Sequence, residues 1–265
     1  MRRSEISEIS ELSELSEKAE SSRNCCAQLT IIEEAQSTNT LMAAADHARH
    51  LPHGAAIMAR SQTAGRGQRG NHWESEPGKN VTLSIMLRPQ GVDAREQFLV
   101  SEAVAIATAE TVRELTGLPA EVKWPNDIYI GDRKIAGILI ECALEGQRIS
   151  RAIAGIGLNV NQTAWLSDAP NPVSMRELTG AAYDVEATAR MLVEKTARLT
   201  AALPSSADET ERRYASLLWR REGIHSWEDA ASGEVFSAGI ARVERTGRLV
   251  MDNGRCYWFK EVKWR

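Results

Sequence analysis

No run in this chain approaches the roughly 18 consecutive apolar residues that a membrane-spanning helix needs, and the N-terminus lacks the apolar core of a secretory signal. Those two absences lead to the expectation of a cytoplasmic protein with no membrane partner. A basic field is missing too. Lys and Arg total 32 against 36 Asp and Glu, the formal net charge is -4 and the isoelectric point is near 5.8, so nothing advertises a nucleic-acid partner. Cysteine is scarce: Cys25, Cys26, Cys142 and Cys256 form no CxxC pair, and adjacent Cys25 and Cys26 cannot share one structural zinc at the usual spacing. Reduced, packed thiols are expected. What remains is 265 residues at 43% hydrophobic content, ordinary for one large or two small folded domains.

Residues 1–24 repeat with a period of three: Ser4-Glu5-Ile6, Ser7-Glu8-Ile9, Ser10-Glu11-Leu12, Ser13-Glu14-Leu15. A helix turns every 3.6 residues, so these apolar positions would drift around it instead of fixing one face. A disordered or weakly helical tail is expected there. Folded sequence is expected from Leu29-Thr30-Ile31-Ile32, followed by a helix over 38–48 that Ser37-Thr38-Asn39 can cap. The patterns predict strands over 55–59, 81–87, 122–124, 128–130, 134–141 and 149–159, with Gly131-Asp132 as a tight turn, and helices over 98–115, 187–203 and 209–219. From Trp219 onward short strands separated by Gly233, Gly239, Gly247 and Gly254 predict a small β-barrel as a second domain. Strands and helices mix without strict βαβ alternation, so the main domain reads as α+β.

Three segments carry chemistry. In Gly65-Arg66-Gly67-Gln68-Arg69-Gly70 the glycines let backbone N–H groups approach an anion, and Arg66 can hold a carboxylate or phosphate with two parallel bonds. It is neither a Walker A loop nor a GxGxxG fingerprint, and alone a surface loop with two arginines would look the same. Lys134 opens the apolar run Ile135-Ala136-Gly137-Ile138, whose glycine lets a ligand lie against backbone; alone, a solvated lysine at a strand start explains it. Lys123-Trp124-Pro125-Asn126-Asp127 presents hard oxygens at a strand end, as magnesium with bound phosphates requires, although an Asn-Asp turn has the same sequence. Ser37-Thr38-Asn39 and Gln62 add hydroxyl and amide groups able to donate and accept around a ureido ring, or simply a helix cap.

In this order these segments resemble the biotin–protein ligases, also called holocarboxylase synthetases. The similarity covers about residues 29–265 and includes 155–159 and, near the C-terminus, Thr246-Gly247-Arg248-Leu249 and Phe259-Lys260-Glu261-Val262. The resemblance implies a tail over 1–24, a catalytic domain over 25–217 akin to class II aminoacyl-tRNA synthetases, and an SH3-like barrel over 218–265. It also implies the family's chemistry: biotin and ATP, with Mg²⁺, give biotinyl-5′-AMP and pyrophosphate, and a lysine of a biotin carboxyl carrier domain then takes the biotin. By the resemblance, Lys134 and Arg66 are the catalytic cations. Ser37, Thr38, Asn39, Gln62, Arg66, Gly67, Gln68, Lys134 and Gly137 would bind biotin. Arg69, Trp73, Lys123, Asn126 and Asn159 would bind the nucleotide, and Asp127 would meet the metal. The glycine-rich loop and residues 161–173, with Trp165, are the segments expected to close over the adenylate. One departure is Gln68, where many bacterial members carry arginine. Weaker retention of biotinyl-AMP is expected from it unless Arg69 or His72 compensates.

Two rivals are weighed against that reading. A lipoate or octanoate ligase of the same superfamily needs a long apolar channel, and the polar groups at 37–39 and Gln62, with the C-terminal barrel, favour biotin. A biotin-sensing repressor needs an N-terminal helix-turn-helix of about sixty residues; here a Ser-Glu segment with six glutamates against four cations precedes the fold. Family members include monomers and dimers, and both remain open.

Overall fold

The computed structural model describes residues 28–67, 72–166 and 171–265, to which all structural statements refer. The expected tail, Cys25, Cys26, Gln68, Arg69 and Gly70 lie outside them. Seven strands form one mixed sheet: β1 (Leu29–Ala35), β2 (Ala56–Gln62), β3 (Val81–Leu87), β4 (Ala120–Lys123), β5 (Asp127–Ile130), β6 (Arg133–Glu145) and β7 (Arg148–Leu158). Their spatial order is β1-β2-β3-β7-β6-β5-β4, with β1 and β2 parallel and every other neighbour antiparallel. Gly131 turns β5 into β6 at a φ of 59°, where the predicted tight turn falls.

Alternation decides what each face of the sheet does, because successive side chains of a strand point to opposite faces. Val81, Leu83, Ile85 and Leu87 of β3, Ala136 and Ile138 of β6, and Ala154, Ile156 and Leu158 of β7 belong to the main apolar core, with Ile140 of β6 packed against it. That face is covered by α2 (Phe98–Thr116), an Ala- and Val-rich helix buried along most of its length, with α4 (Val185–Ala201) and α5 (Ala207–Leu217) packed beside it. The intervening positions, Thr82, Ser84, Gly137, Glu141, Gly155 and Gly157, are small or polar and face the other way. On that side α1 (Thr38–Arg49) covers only part of the sheet, over a small core of Met42, Ala55, Ile57, Met86 and Ile153. Ser37 occupies the cap position of α1 with extended backbone, but its side chain makes no capping bond. A short helix α3 (Met175–Thr179) follows the loop after β7, closed by a capping box between Ser174 and Glu177.

The C-terminal segment forms two small three-stranded sheets, β10-β11-β12 and β13-β8-β9, built from β8 (His225–Asp229), β9 (Val235–Ala238), β10 (Ile240–Val243), β11 (Leu249–Met251), β12 (Cys256–Tyr257) and β13 (Val262–Trp264). Trp227, fully buried, and Leu249, Met251 and Val262 join the main core without a break. Two tryptophans fasten the segment to the large sheet. Trp124 Nε1 donates to the Gly247 carbonyl at 3.0 Å, and Trp219 Nε1 to the Gly131 carbonyl at 2.7 Å. Arg245 adds ion pairs to Glu96 (3.0 Å), Glu211 (2.7 Å) and Asp208 (2.5 Å).

Beside this junction Glu102 of α2 is 1% exposed and one carboxyl oxygen has no hydrogen-bond partner. Burial, with Glu211 adding to it, pushes its pKa from 4.5 up to about 8. The folded chain therefore holds this proton more tightly than the unfolded chain, so stability falls as pH rises from about 4.5 to about 8. Urea denaturation at pH 5 and pH 8 is expected to show wild type losing more stability across that interval than Glu102→Gln, by on the order of a few kcal/mol.

Candidate active site

A cavity of about 630 Å³ opens on the small-residue face of the sheet. Its floor is set by glycine. Gly137 and Gly157 are cross-strand partners on β6 and β7, and the indole of Trp73 lies across both. A Cβ on Gly157 would stand 2.2 Å from that ring, and one on Gly137 3.0 Å from it. Gly155, opposite Ser84 of β3, leaves similar room for Asn39, whose Oδ1 would be 2.4 Å from an added Cβ.

At one end Lys134 and Asp127 form an ion pair, Nζ to Oδ1 at 2.7 Å, with each side chain a little over a quarter exposed. A register shift after Ile128 sets Lys134 opposite Tyr129 while Asp127 faces Gly137, which brings the two charges to the same wall. Backbone bonds to Asn171 and Val173 hold the Lys134 peptide on the other side. Asn126, 8% exposed, spends its amide on the Ile138 carbonyl. Asn159 is 2% exposed and donates Nδ2 to the Val173 carbonyl at 3.0 Å, while its Oδ1, at the cavity wall, has no protein partner. Trp73 Nε1 is likewise unpartnered. A buried acceptor and a buried donor left open beside a cavity are what a polar ligand would complete.

At the other end the groups form a continuous chain. Thr38 N donates to Gln62 Oε1 at 2.8 Å, and Thr38 Oγ1 lies 3.2 Å from the same oxygen. Ser84 Oγ lies 2.7 Å from Thr38 Oγ1 and 2.6 Å from Asn39 Oδ1. Asn39 Nδ2 donates to Glu141 at 2.7 Å, and Arg66 Nη2 reaches the same carboxylate oxygen at 3.2 Å. Arg66 is positioned by a bridge to His72 and by the bond from Trp73 N to the Gly65 carbonyl, 3.1 Å, which closes the base of the glycine-rich loop.

Of the residues the sequence nominated, Ser37, Thr38, Asn39, Gln62, Arg66, Gly67, Trp73, Asn126, Asp127, Lys134, Gly137 and Asn159 line this one cavity. Lys123 does not. Its ammonium sits 4.6 Å over the Tyr129 ring and 5.0 Å over Trp219, and donates to Tyr129 Oη at 3.2 Å. Burial lowers its pKa, and Tyr129, which it contacts, lines the cavity. Gln68 and Arg69 lie outside the described residues. Trp165 lines the cavity and donates to Glu177 at 3.1 Å. Ser84, Tyr129 and Glu141 carried no motif, yet alternation along β3 and β6 puts Ser84 and Glu141 on the cavity face.

Residues 31–159 match the model of the biotin/lipoate A/B protein ligase family. The biotin–[acetyl-CoA-carboxylase] ligase of Mycobacterium tuberculosis is 32% identical over 237 residues, 86% of this chain and 84% of its own length. That of Paracoccus denitrificans is 34% identical over 175 residues, 64% and 72% respectively. The bifunctional ligase/repressor BirA of Bacillus subtilis is 38% identical over 113 residues, and there the match spans 43% of this chain but about a third, 34%, of the relative. A biotin protein ligase of Aquifex aeolicus, solved with biotin and ATP, superposes with a TM-score of 0.72 over 90% of this chain and 98% of that one at 21% identity, a likeness of fold. The chain belongs to the biotin–protein ligase family.

Trp73 and Gly157 are coupled by contact, which denaturation can measure. Gly157→Ala is expected to cost about 1–3 kcal/mol in the wild-type background, because the indole must leave its seat. With Trp73→Ala also present most of that cost should disappear, a coupling that independent sites would not show.

Proposed function

We propose that this chain is an ATP-dependent biotin–protein ligase of the cytoplasm. A biotin carboxylate oxygen attacks the α-phosphorus of ATP, the bond to the β-phosphate oxygen breaks, and pyrophosphate leaves. The deprotonated amine of a carrier-domain lysine then attacks the acyl carbon of biotinyl-5′-AMP, expelling AMP. The observation that carries this reading is one cavity with an ion-paired lysine at one end and a hydroxyl–amide chain at the other. A lipoate ligase would need a long apolar channel where Thr38, Ser84 and Asn39 stand.

Bringing a carboxylate against a triphosphate sets like charges together, so fixed cations must be ready before the reactants arrive. Lys134 serves the carboxylate and the α-phosphate, Asp127 fixes its ammonium, and Arg66 shares the load. Asn159 Oδ1 accepts from the adenine amino group, and Trp73 covers the adenylate. Ser37, Thr38, Asn39 and Gln62 read the ureido ring. Asp127 and Asn126 supply hard oxygens, but among the described residues no cluster of three His, Cys, Asp or Glu could hold a metal unaided. That set suits Mg²⁺ brought in on the triphosphate, which keeps phosphate and water oxygens and takes one or two from protein. Bound there, Mg²⁺ would neutralise charge on the departing pyrophosphate.

We further infer a class II synthetase-like catalytic domain over 25–217 followed by an SH3-like domain over 218–265. No helix among the described residues is long and apolar enough to cross a membrane.

The test is pyrophosphate release with ATP, Mg²⁺ and either biotin or lipoate, then transfer to a purified biotin carboxyl carrier domain. Biotin-dependent release and labelling are expected, with both rates reduced about 10²–10³-fold in Lys134→Ala. Release with lipoate alone would assign the chain to the lipoate branch, and release with neither acid would refute the reading.

A further inference from the structure

The hydrogen-bond chain at the ureido end has a direction, and the group that sets it does not line the cavity. Glu141 stands behind Asn39 on β6, exposed at its outer side. An ionised carboxylate can only accept. At 2.7 Å it therefore takes the amide N–H of Asn39, which turns Asn39 Oδ1 toward Ser84. Asn39 is 4% exposed and wedged against Gly155, so its amide has two orientations, related by a flip, and Glu141 selects one. Ser84 then gives its single proton to Asn39 Oδ1 and accepts from Thr38 Oγ1, 2.7 Å away. Gln62 Oε1 is still satisfied by the Thr38 backbone N–H at 2.8 Å. Thr38 Oγ1, which lines the cavity, thus gives its proton inward along the chain that ends at Glu141 and keeps its lone pairs for a ligand.

We propose that Glu141 is a positioning residue that fixes the donor–acceptor polarity of the ligand pocket through Asn39 and Ser84, so that it accepts N–H groups of a cyclic urea. This rests on the biotin reading of the site and deepens it. Glu141 also holds Arg66 at 3.2 Å, so one carboxylate ties the polar end of the cavity to the base of the glycine-rich loop.

The polarity can be broken and restored. In Glu141→Gln the introduced amide can donate or accept, and Asn39 is free to flip. Adding Asn39→Asp places an acceptor-only group between that amide and Ser84, which sets Ser84 back to donating. Calorimetric Kd values for biotin and for biotin methylated on one ureido nitrogen, which lacks that N–H, read the pocket directly. Glu141→Gln is expected to weaken biotin about tenfold, the scale of one mis-set buried hydrogen bond. Discrimination against the methylated analogue should narrow. The double variant should recover biotin affinity to within about twofold, which a merely structural role for Glu141 would not produce. Wild-type affinity in Glu141→Gln, or a double variant no tighter than the single one, overturns the inference while leaving the ligase reading intact. A wild-type protein that does not bind biotin overturns both.

Discussion

The cavity depends on a restriction on side-chain size along three neighbouring strands. On one face β3, β7 and β6 carry Val, Leu, Ile and Ala, which pack beneath α2. On the other face the same strands carry Thr82, Ser84, Gly155, Gly157 and Gly137, and a side chain larger than a hydroxyl there would fill the space a ligand needs. The glycine pair at 137 and 157 costs strand stability and gives back a flat backbone surface on which an indole or a ligand ring can lie. Helix α1 leaves this strip uncovered, so one pattern of alternation builds both core and site.

Charge placement follows from the same sheet. The register shift in the β5–β6 hairpin puts Lys134 within 2.7 Å of Asp127, on the wall beside the glycine floor. Lys123, on the neighbouring strand, is held under Tyr129 and Trp219. The C-terminal sheets reach the same wall, since Trp124, three residues before Asp127, is gripped by the Gly247 carbonyl and packed edge-on against Phe259, 6.1 Å between ring centroids. Phe259 itself lines the cavity, so the C-terminal segment is part of the site's construction.

Much of this was legible in the residues. Long apolar periodicities gave α2, α4 and the central strands within three residues, except that β6 runs four residues past its expected end, because burial of a continuous face overrides local competition. The lysine and Asn-Asp segments were found because polar residues bounding an apolar strand are conspicuous. Ser84 and Glu141 were not singled out, since a serine within a buried strand and an acid at its far end look like ordinary alternation until cross-strand partners are known. The surroundings of Lys123 were not legible for the same reason: a four-residue strand does not reveal which aromatic will cover it. Ser37 sits at the helix start as its chemistry suggests, yet its hydroxyl makes no cap bond, and Gln62 Oε1 from the neighbouring strand takes the first-turn Thr38 N–H instead.

The proposed chemistry is that this cavity joins biotin to AMP. The most direct measurement is to incubate the protein with biotin and ATP labelled in the α-phosphate, with no acceptor present, and to separate the products by chromatography. Label is expected in biotinyl-5′-AMP, formed only when biotin is supplied and absent when lipoate replaces it. Label confined to ATP and its hydrolysis products would contradict it.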